Sequence, residues 1–244
     1  RRMLTFVAAS FAADPQRRWP AMAQAVLVAK HQLHDLPLAL AYARQLRQLA
    51  TGPQVPAWVR EMEAFILEDM DQLDSARLVI GGLIASGHIS DPHELAFLAR
   101  RLDELAKQIA RDGEGATKLI ECTVANAKSD ADAKILSKSV IGSNLVKAAF
   151  FGNDANWGRI LCALGYSGGY FAPDRADIFF ESTAGCIQLI ADGKPLKLCE
   201  KTASDVMAEE YVKIKIDLKD GLFSATAWGC DLTYDYVKIN GSYR

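Results

Sequence analysis

A carboxylate flanked by two glycines is the residue arrangement in this chain that best suits ligand chemistry. Residues 112–118 read DGEGATK, which places Glu114 between Gly113 and Gly115. Because neither neighbour has a Cβ atom, a ligand can approach the backbone closely on both sides of this glutamate. A carboxylate in such a position suits an ammonium or amide group, through charge and hydrogen bonding. A tight turn with an incidental acid is the alternative interpretation.

The other residues of ligand-forming type are spaced in ways that predict no metal site. His31 and His34 are three residues apart and can share a helix face. Two ligands do not complete a metal centre, and no cysteine or carboxylate joins them at a suitable spacing. The acidic residues between positions 61 and 71 are typical of a solvated helix face. We therefore predict surface histidines, no metal and no cofactor.

The five cysteines predict a reduced protein. They are odd in number, widely spaced and without a CxxC pair: Cys122, Cys162, Cys186, Cys199 and Cys230. A disulfide framework needs pairs and is typical of small secreted chains. We expect free, mostly buried thiols and a cytoplasmic protein.

Composition predicts a globular protein and excludes two classes of partner. The 244 residues are 50% hydrophobic and 24% charged, with a formal net charge of −2. A nucleic-acid binder normally carries a basic excess, and no apolar run reaches the roughly 18 residues of a spanning helix. The sequence therefore predicts neither a nucleic-acid nor a membrane partner. Residues 1–9 (RRMLTFVAA) are similar to a short signal sequence, but a chain that begins within a longer reading frame is the preferred interpretation.

Helical periodicity dominates residues 17–111. Apolar residues recur at helical spacing, and proline-containing stretches interrupt the pattern at residues 35–37, 52–56 and 90–92. Residues 21–43 and 58–80 superpose with an offset of 37, which pairs Ala39 with Ala76. Periods of this length are typical of tetratricopeptide-like helical repeats, which the block resembles. A generic helical bundle is the alternative.

From residue 112 the pattern changes to strands and helices. Strands are predicted at residues 118–124, 145–151, 187–190 and 211–218, and helices at residues 129–141 and 156–166. Ser129 is the predicted N-cap of the first of these helices. The Asp220-Gly221 pair predicts an antiparallel hairpin between residues 211–218 and 222–228.

Together the patterns predict an all-α helical N-terminal block, residues 1–101, followed by an α+β C-terminal domain, residues 102–244. Residues 94–111 read as one unbroken helix that passes through this boundary. Domains are usually joined by polar linkers rich in proline or glycine. The boundary therefore favours a join without a linker.

Three stretches of the second block occur in a specific order and spacing. They are residues 112–118 (DGEGATK), 145–159 (LVKAAFFGNDANWGR) and 227–240 (AWGCDLTYDYVKIN). In this order they resemble the ornithine acetyltransferase (glutamate N-acetyltransferase) family of arginine biosynthesis. The resemblance covers about residues 102–244.

The resemblance implies acetyl transfer from N-acetylornithine to glutamate, with acetyl-CoA as a further donor in some members. The family nucleophile is a threonine exposed by self-cleavage, which carries the acetyl group as an acyl-enzyme. By resemblance, Glu114 is a substrate-binding carboxylate and Asn240 a substrate-binding amide. The nucleophilic threonine is not recognisable in residues 1–101. The resemblance thus implies small-molecule substrates, an inactive isolated chain, and either a missing enzyme subunit or self-association.

Three interpretations of the whole chain remain open. In the first, it is an incomplete or chimeric ornithine acetyltransferase joined to an unrelated helical segment. In the second, it is a natural non-catalytic fusion whose helical repeats form an interaction module. In the third, it completes its active site with a partner chain. The linker-free boundary favours the first.

Overall fold

The chain divides into two compact units, each with its own buried apolar cluster. The computed structural model describes residues 15–49, 57–87, 89 and 91–242. The first unit ends at Ala106 and the second begins at Lys107. The signal-like residues 1–9 and the predicted helix break at residues 52–56 lie outside the described residues. The predicted domain boundary at residue 101 stays a prediction.

Five helices lie in the described part of the first unit, and the last of them continues into the second unit. They are α1 (Pro15–His31), α2 (Leu36–Leu49), α3 (Ala57–Asp69), α4 (Leu73–Ala85) and α5 (Pro92–Arg111). Neighbours in sequence pack together, α1 on α2, α2 on α3 and α3 on α4. Buried alanines on α1 and α2, among them Ala29 and Ala39, have small side chains that allow these two helices to pack closely.

The helical prediction for this block is confirmed. Helix α5 also confirms the unbroken helix predicted over residues 94–111, and its apolar stripe buries Leu98 and Leu105. Packing of successive helices is common to repeats and to bundles. The tetratricopeptide resemblance therefore stays a prediction.

The second unit is built on a mixed sheet, six-stranded within the described residues. Its strands are β1 (Leu119–Ala127), β2 (Asp177–Ser182), β3 (Gly185–Ala191), β4 (Lys194–Pro195), β5 (Tyr211–Asp217) and β6 (Phe223–Cys230). The spatial order is β4-β3-β2-β5-β1-β6, in which β1 and β5 are parallel and all other neighbours are antiparallel. Alternate residues of β1 and β5 form one buried face: Ile120, Cys122, Val124, Val212, Ile214 and Ile216.

Five helices accompany this sheet in the described residues. They are α6 (Asp130–Gly142), α7 (Asn144–Phe151), α8 (Trp157–Gly165), α9 (Glu200–Ala208) and α10 (Tyr234–Gly241). Helices α6 to α9 contribute buried side chains to the sheet's apolar core, whereas α10 has no buried residue. As predicted, Ser129 caps α6 by accepting a hydrogen bond from Asp132 N. A sheet with associated helices agrees with the predicted α+β class.

The strand predicted at residues 145–151 is wrong, because this segment is helix α7. Ser143 caps the helix by accepting from Val146 N, and Val146, Ala149 and Phe150 are buried at helical spacing. Leu145 is exposed. A short apolar run looks alike in a strand and in a buried helix, so the cap and the burial of positions 146, 149 and 150 decide the conformation.

The hairpin predicted between β5 and β6 is also wrong, because β1 lies between these two strands. The connection passes over the end of β1, where Leu218 N donates to Ala125 O and Asp220 N to Asn126 O. A Cβ atom on Gly221 would lie only 2.1 Å from Ala127 O. The glycine therefore permits a crossing rather than a tight hairpin turn.

The cysteines are free, but the expectation that most are buried is wrong. Only Cys122 is buried, Cys230 is partly exposed, and Cys162, Cys186 and Cys199 are exposed. Burial raises the pKa of the Cys122 thiol far above its ordinary value. A hydrogen bond from Thr202 lowers the pKa of the Cys199 thiol. The exposed cysteines lie on α8, on β3 and directly before α9. The apolar pattern of the sequence does not distinguish these positions from buried ones.

No described helix is long and apolar enough to cross a membrane. No three histidine, cysteine, aspartate or glutamate side chains among these residues are grouped as metal ligands.

Candidate functional site

Glu114 and Asn240, the two residues that the sequence analysis selected, lie side by side although they are 126 positions apart. Asn240 Nδ2 donates to Glu114 Oε2 at 2.7 Å and to Tyr236 O at 3.0 Å. Both side chains are exposed. Among the hydrogen bonds of the described residues, none occupies Glu114 Oε1 or Asn240 Oδ1. One acceptor oxygen on each of the two paired side chains thus remains for a ligand that carries several N–H donors.

A tight turn holds Glu114 at this place. Helix α5 ends at Arg111, and Ala116 N donates to Gly113 O at 2.9 Å across the turn. Gly115 occupies the third position of the turn with a φ of +67°, a conformation that glycine adopts without strain. The tight turn of the alternative interpretation is therefore present, and a ligand-binding role for Glu114 stays a prediction.

The two glycines make room for the chain's own C-terminal segment. A Cβ atom on Gly115 would lie 2.9 Å from Asp235 Cβ and 3.0 Å from Tyr236 N, at the start of α10. A Cβ atom on Gly113 would lie 2.5 Å from Cys230 Sγ. The expectation that these glycines open the backbone to a ligand is thus corrected, because packed protein atoms fill that space.

Asp231 is a site residue that the sequence analysis did not select. It is 3% exposed, and its Oδ1 accepts from Thr117 N at 2.8 Å and from Lys118 N at 2.9 Å. Its Oδ2 accepts from Thr117 Oγ1 at 2.5 Å. One buried carboxylate therefore ties the end of β6 to the backbone that runs from the Glu114 turn into β1. A single aspartate in the third family stretch carries no sequence signal that distinguishes it from a surface acid.

The side chain of Lys118 adds further contacts to the backbone segment between the Glu114 turn and β1. Its buried ammonium donates to Asn153 Oδ1 and to Met207 O. Burial lowers the pKa of the Lys118 ammonium, while the nearby carboxylates of Asp231 and Glu209 oppose this by raising it. The ammonium connects β1 to the segment after α7 and to the end of α9.

Helix α10 carries Asn240 on the surface of the unit. Its side chains Tyr234, Val237 and Ile239 are all exposed, with Tyr234 at 82% and Val237 at 62%. The Phe151 and Tyr234 rings meet edge to face, with centroids 5.4 Å apart. The exposed apolar side chains of α10 lie on the same short helix as the amide of the site.

Two cavities are lined by described residues other than this pair. One, of about 280 Å³, is on the sheet and is lined by residues that include Thr123, Phe179 and Lys215. The other, of about 160 Å³, is in the helical unit and is lined by residues that include Trp58 and Phe65. Neither contains Glu114 or Asn240.

Comparison with known proteins places these elements in context. A family model described as the ArgJ family matches residues 80–244. The arginine biosynthesis bifunctional protein ArgJ of Caldanaerobacter subterraneus is 46% identical over 181 residues, which cover 72% of this chain and 45% of that protein. ArgJ 1 of Clostridium acetobutylicum is 56% identical over 141 residues, 58% of this chain and 35% of that protein. The chain thus spans less than half the length of these relatives.

A solved structure is similar as well. The crystal structure of the arginine biosynthesis bifunctional protein ArgJ from Bacillus halodurans is 44% identical, with a TM-score of 0.58. The match covers 63% of this chain and 72% of that one. The resemblance was predicted to begin at about residue 102, whereas the family model already matches from residue 80.

Proposed function

Because this chain belongs to the ArgJ family, we propose that Glu114 and Asn240 bind the amino-acid substrates of acetyl transfer between N-acetylornithine and glutamate. The observation that carries the proposal is the 2.7 Å contact between the two side chains, which are both exposed. The names of the relatives support arginine biosynthesis as the setting. The chemistry of the pair supports an ammonium group as the part of the substrate that it recognises.

An ammonium group suits the oxygens that this pair offers. It has three N–H donors and one positive charge, while Glu114 Oε1 and Asn240 Oδ1 are acceptors and the carboxylate is negative. A hydrogen bond between charged partners is roughly twice as strong as a neutral one. Asn240 Nδ2 holds the carboxylate in place through Oε2, so the ligand does not have to order it.

We place no nucleophile in this chain. The family reaction needs a threonine hydroxyl to carry the acetyl group, and the proposed role of Glu114 and Asn240 is binding alone. We therefore expect no acetyl transfer from N-acetylornithine to glutamate by the isolated chain, with or without acetyl-CoA. We also propose a cytoplasmic location, because an odd number of widely spaced cysteines without a CxxC pair suits a reducing compartment.

The first prediction concerns the Glu114 carboxylate. N-acetylornithine, added to 15N-labelled protein, is expected to shift the Asn240 side-chain amide resonances in a saturable way. Glu114→Gln is expected to weaken this binding by about 10- to 100-fold, because a charged hydrogen bond contributes about 1.5–3 kcal/mol. The measurement is an NMR titration, which reports weak binding directly.

Two controls make this titration specific. Glu210→Gln removes the same charge from the second unit at an exposed position that pairs with Arg111, and it should leave the affinity unchanged. N-acetylnorvaline has the same carbon chain without the ammonium group and should not bind. Equal binding by wild type and Glu114→Gln, or equal binding of both compounds, contradicts the proposed role.

The exposed apolar side chains of α10 support a proposed partner. Tyr234 and Val237 are three residues apart and therefore share a face of the helix that carries Asn240, and Ile239 is exposed on another face. Neighbouring exposed apolar side chains near a polar site are typical of an interface. We propose that the rest of the family protein, beyond the portion that this chain spans, covers α10 in the assembled enzyme, and that the isolated chain self-associates through it.

The second prediction follows from this partner. Size-exclusion chromatography with light scattering, across a concentration series, should give a mass that rises above that of the 26.7 kDa chain. Val237→Asp should reduce the association, since it introduces a charge into the apolar surface, whereas Lys238→Gln on the same helix should not. A monomer at every concentration would contradict self-association.

A further inference from the structure

We infer that the Thr233 hydroxyl is the positioning group that aligns Asn240 with Glu114. The ligand in this inference rests on the proposed function, but the geometry does not. Thr233 Oγ1 donates to Gly115 O at 2.8 Å and accepts from Tyr236 N at 3.2 Å. A carbonyl oxygen cannot donate and a backbone N–H cannot accept, so the direction of both bonds is determined. One hydroxyl joins the turn that carries Glu114 to the first turn of the helix that carries Asn240.

Apolar contacts position α10 only weakly, through the edge-to-face contact of Tyr234 with Phe151. The helix has no buried residue, so the usual hydrophobic contribution to helix placement is small here. Thr233 itself, directly before the helix, is 4% exposed. The Thr233 end of both part-buried hydrogen bonds is therefore shielded from competing water, which strengthens them relative to fully exposed bonds of the same kind.

Distance along the helix amplifies any change at Thr233. Asn240 lies seven residues further on, about 10 Å along the axis at the α-helical rise. A tilt of about 10° at the start of the helix would move Asn240 by about 2 Å. Such a shift breaks the 2.7 Å bond to Glu114. The hydroxyl thus acts on the ligand through the Glu114–Asn240 pair and does not touch the ligand.

The inference is tested with a closely isosteric variant and its conservative partner. Thr233→Val removes the donor and the acceptor and keeps the volume, whereas Thr233→Ser keeps the hydroxyl. Without ligand, the Asn240 side-chain amide resonances should lose their hydrogen-bonded shift in Thr233→Val and keep it in Thr233→Ser. Thr226→Val, which removes an exposed β6 hydroxyl paired with Thr123, is the matched control and should change nothing.

A double-mutant cycle separates positioning from general destabilisation. Thr233→Val should weaken N-acetylornithine binding about tenfold in the wild-type background and not further in an Asn240→Ala background. An equal loss in both backgrounds overturns the inference, because the threonine then acts independently of the pair. An unchanged Asn240 signal in Thr233→Val overturns it as well.

Two outcomes distinguish this inference from the proposed function. If wild-type protein does not bind N-acetylornithine but the Asn240 signal follows the Thr233 variants, the proposed ligand is wrong and the positioning role stands. If Thr233→Val does not fold, the inference is tested on the wild-type protein instead. Its Thr233 hydroxyl proton should then be protected from exchange with water and show a nuclear Overhauser effect to the α-protons of Gly115 or Ala116, which lie on the side of the Gly115 carbonyl oxygen; if neither is observed, the inference is overturned.

Discussion

Asp231→Ala is expected to lower the free energy of unfolding by about 3 kcal/mol, the largest stability change that we predict. The substitution leaves the buried Lys118 N without its acceptor and removes the acceptors of Thr117 N and Oγ1. An unsatisfied buried donor costs about 1–3 kcal/mol, and water can reach the more exposed Thr117 groups. The substitution also removes the negative charge of Asp231, which raises the pKa of the Lys118 ammonium. The measurement is the urea-unfolding free energy.

Two variants calibrate this expectation. Asp231→Asn keeps an oxygen that can accept from both N–H groups, and its amide can donate to Thr117 Oγ1, so we expect a loss of about 1 kcal/mol. Asp205→Ala removes an exposed i,i+4 pair with Lys201 and should cost less than about 0.5 kcal/mol. If Asp231→Ala costs no more than Asp205→Ala, the buried carboxylate does not tie β6 to β1.

Gly115→Ala is expected to abolish binding at the Glu114–Asn240 pair and to cost about 2–3 kcal/mol of stability. The φ of +67° is unfavourable for alanine by about 1–2 kcal/mol. The new methyl group would also lie 2.9 Å from Asp235 Cβ and 3.0 Å from Tyr236 N. Because Tyr236 N is a backbone atom, relief requires α10 to move away from the turn. NMR titration with N-acetylornithine and urea unfolding measure the two effects.

Gly168→Ala is the matched control for the backbone conformation. Gly168 has a φ of +81°, but a Cβ atom there meets nothing within 4 Å. This variant should lose only the conformational contribution of about 1–2 kcal/mol and should bind as wild type does. Equal stability and equal binding in the two alanine variants would show that contact between Gly115 and α10 does not determine the site.

Local chemistry in the sequence predicted several elements correctly. Ser129 and Asp132 predicted a capped helix because the side-chain oxygen and the free backbone N–H groups lie within the same turn. The alternation of apolar and polar residues predicted β5, since successive side chains of a strand point to opposite faces. In both cases the decisive partners are close in sequence, or the pattern has the period of the element itself.

Elements whose neighbours are distant in sequence were predicted less well. The turn at Asp220 and Gly221 indicates that the chain reverses, but it does not specify which strand lies beside β5. Helix α7 was mistaken for a strand because its apolar run is too short to show a period, and its conformation depends on the core beneath it. Exposure of the cysteines likewise depends on which surfaces the fold covers.

Sequence patterns were enough to predict the helical first block, the mixed second block and Glu114, and the resemblance of the three stretches to a known family added Asn240. The folded structure was needed to show that these two side chains meet, that Asp231 and Thr233 hold the turn and α10 in place, and that the two glycines make room for Cys230 and for the start of α10. The difference lies in the sequence separation over which each interaction acts. Caps and periodicity act within a few residues, whereas the Glu114–Asn240 hydrogen bond joins positions 126 residues apart and forms only where β1 and β6 bring the turn and α10 into contact.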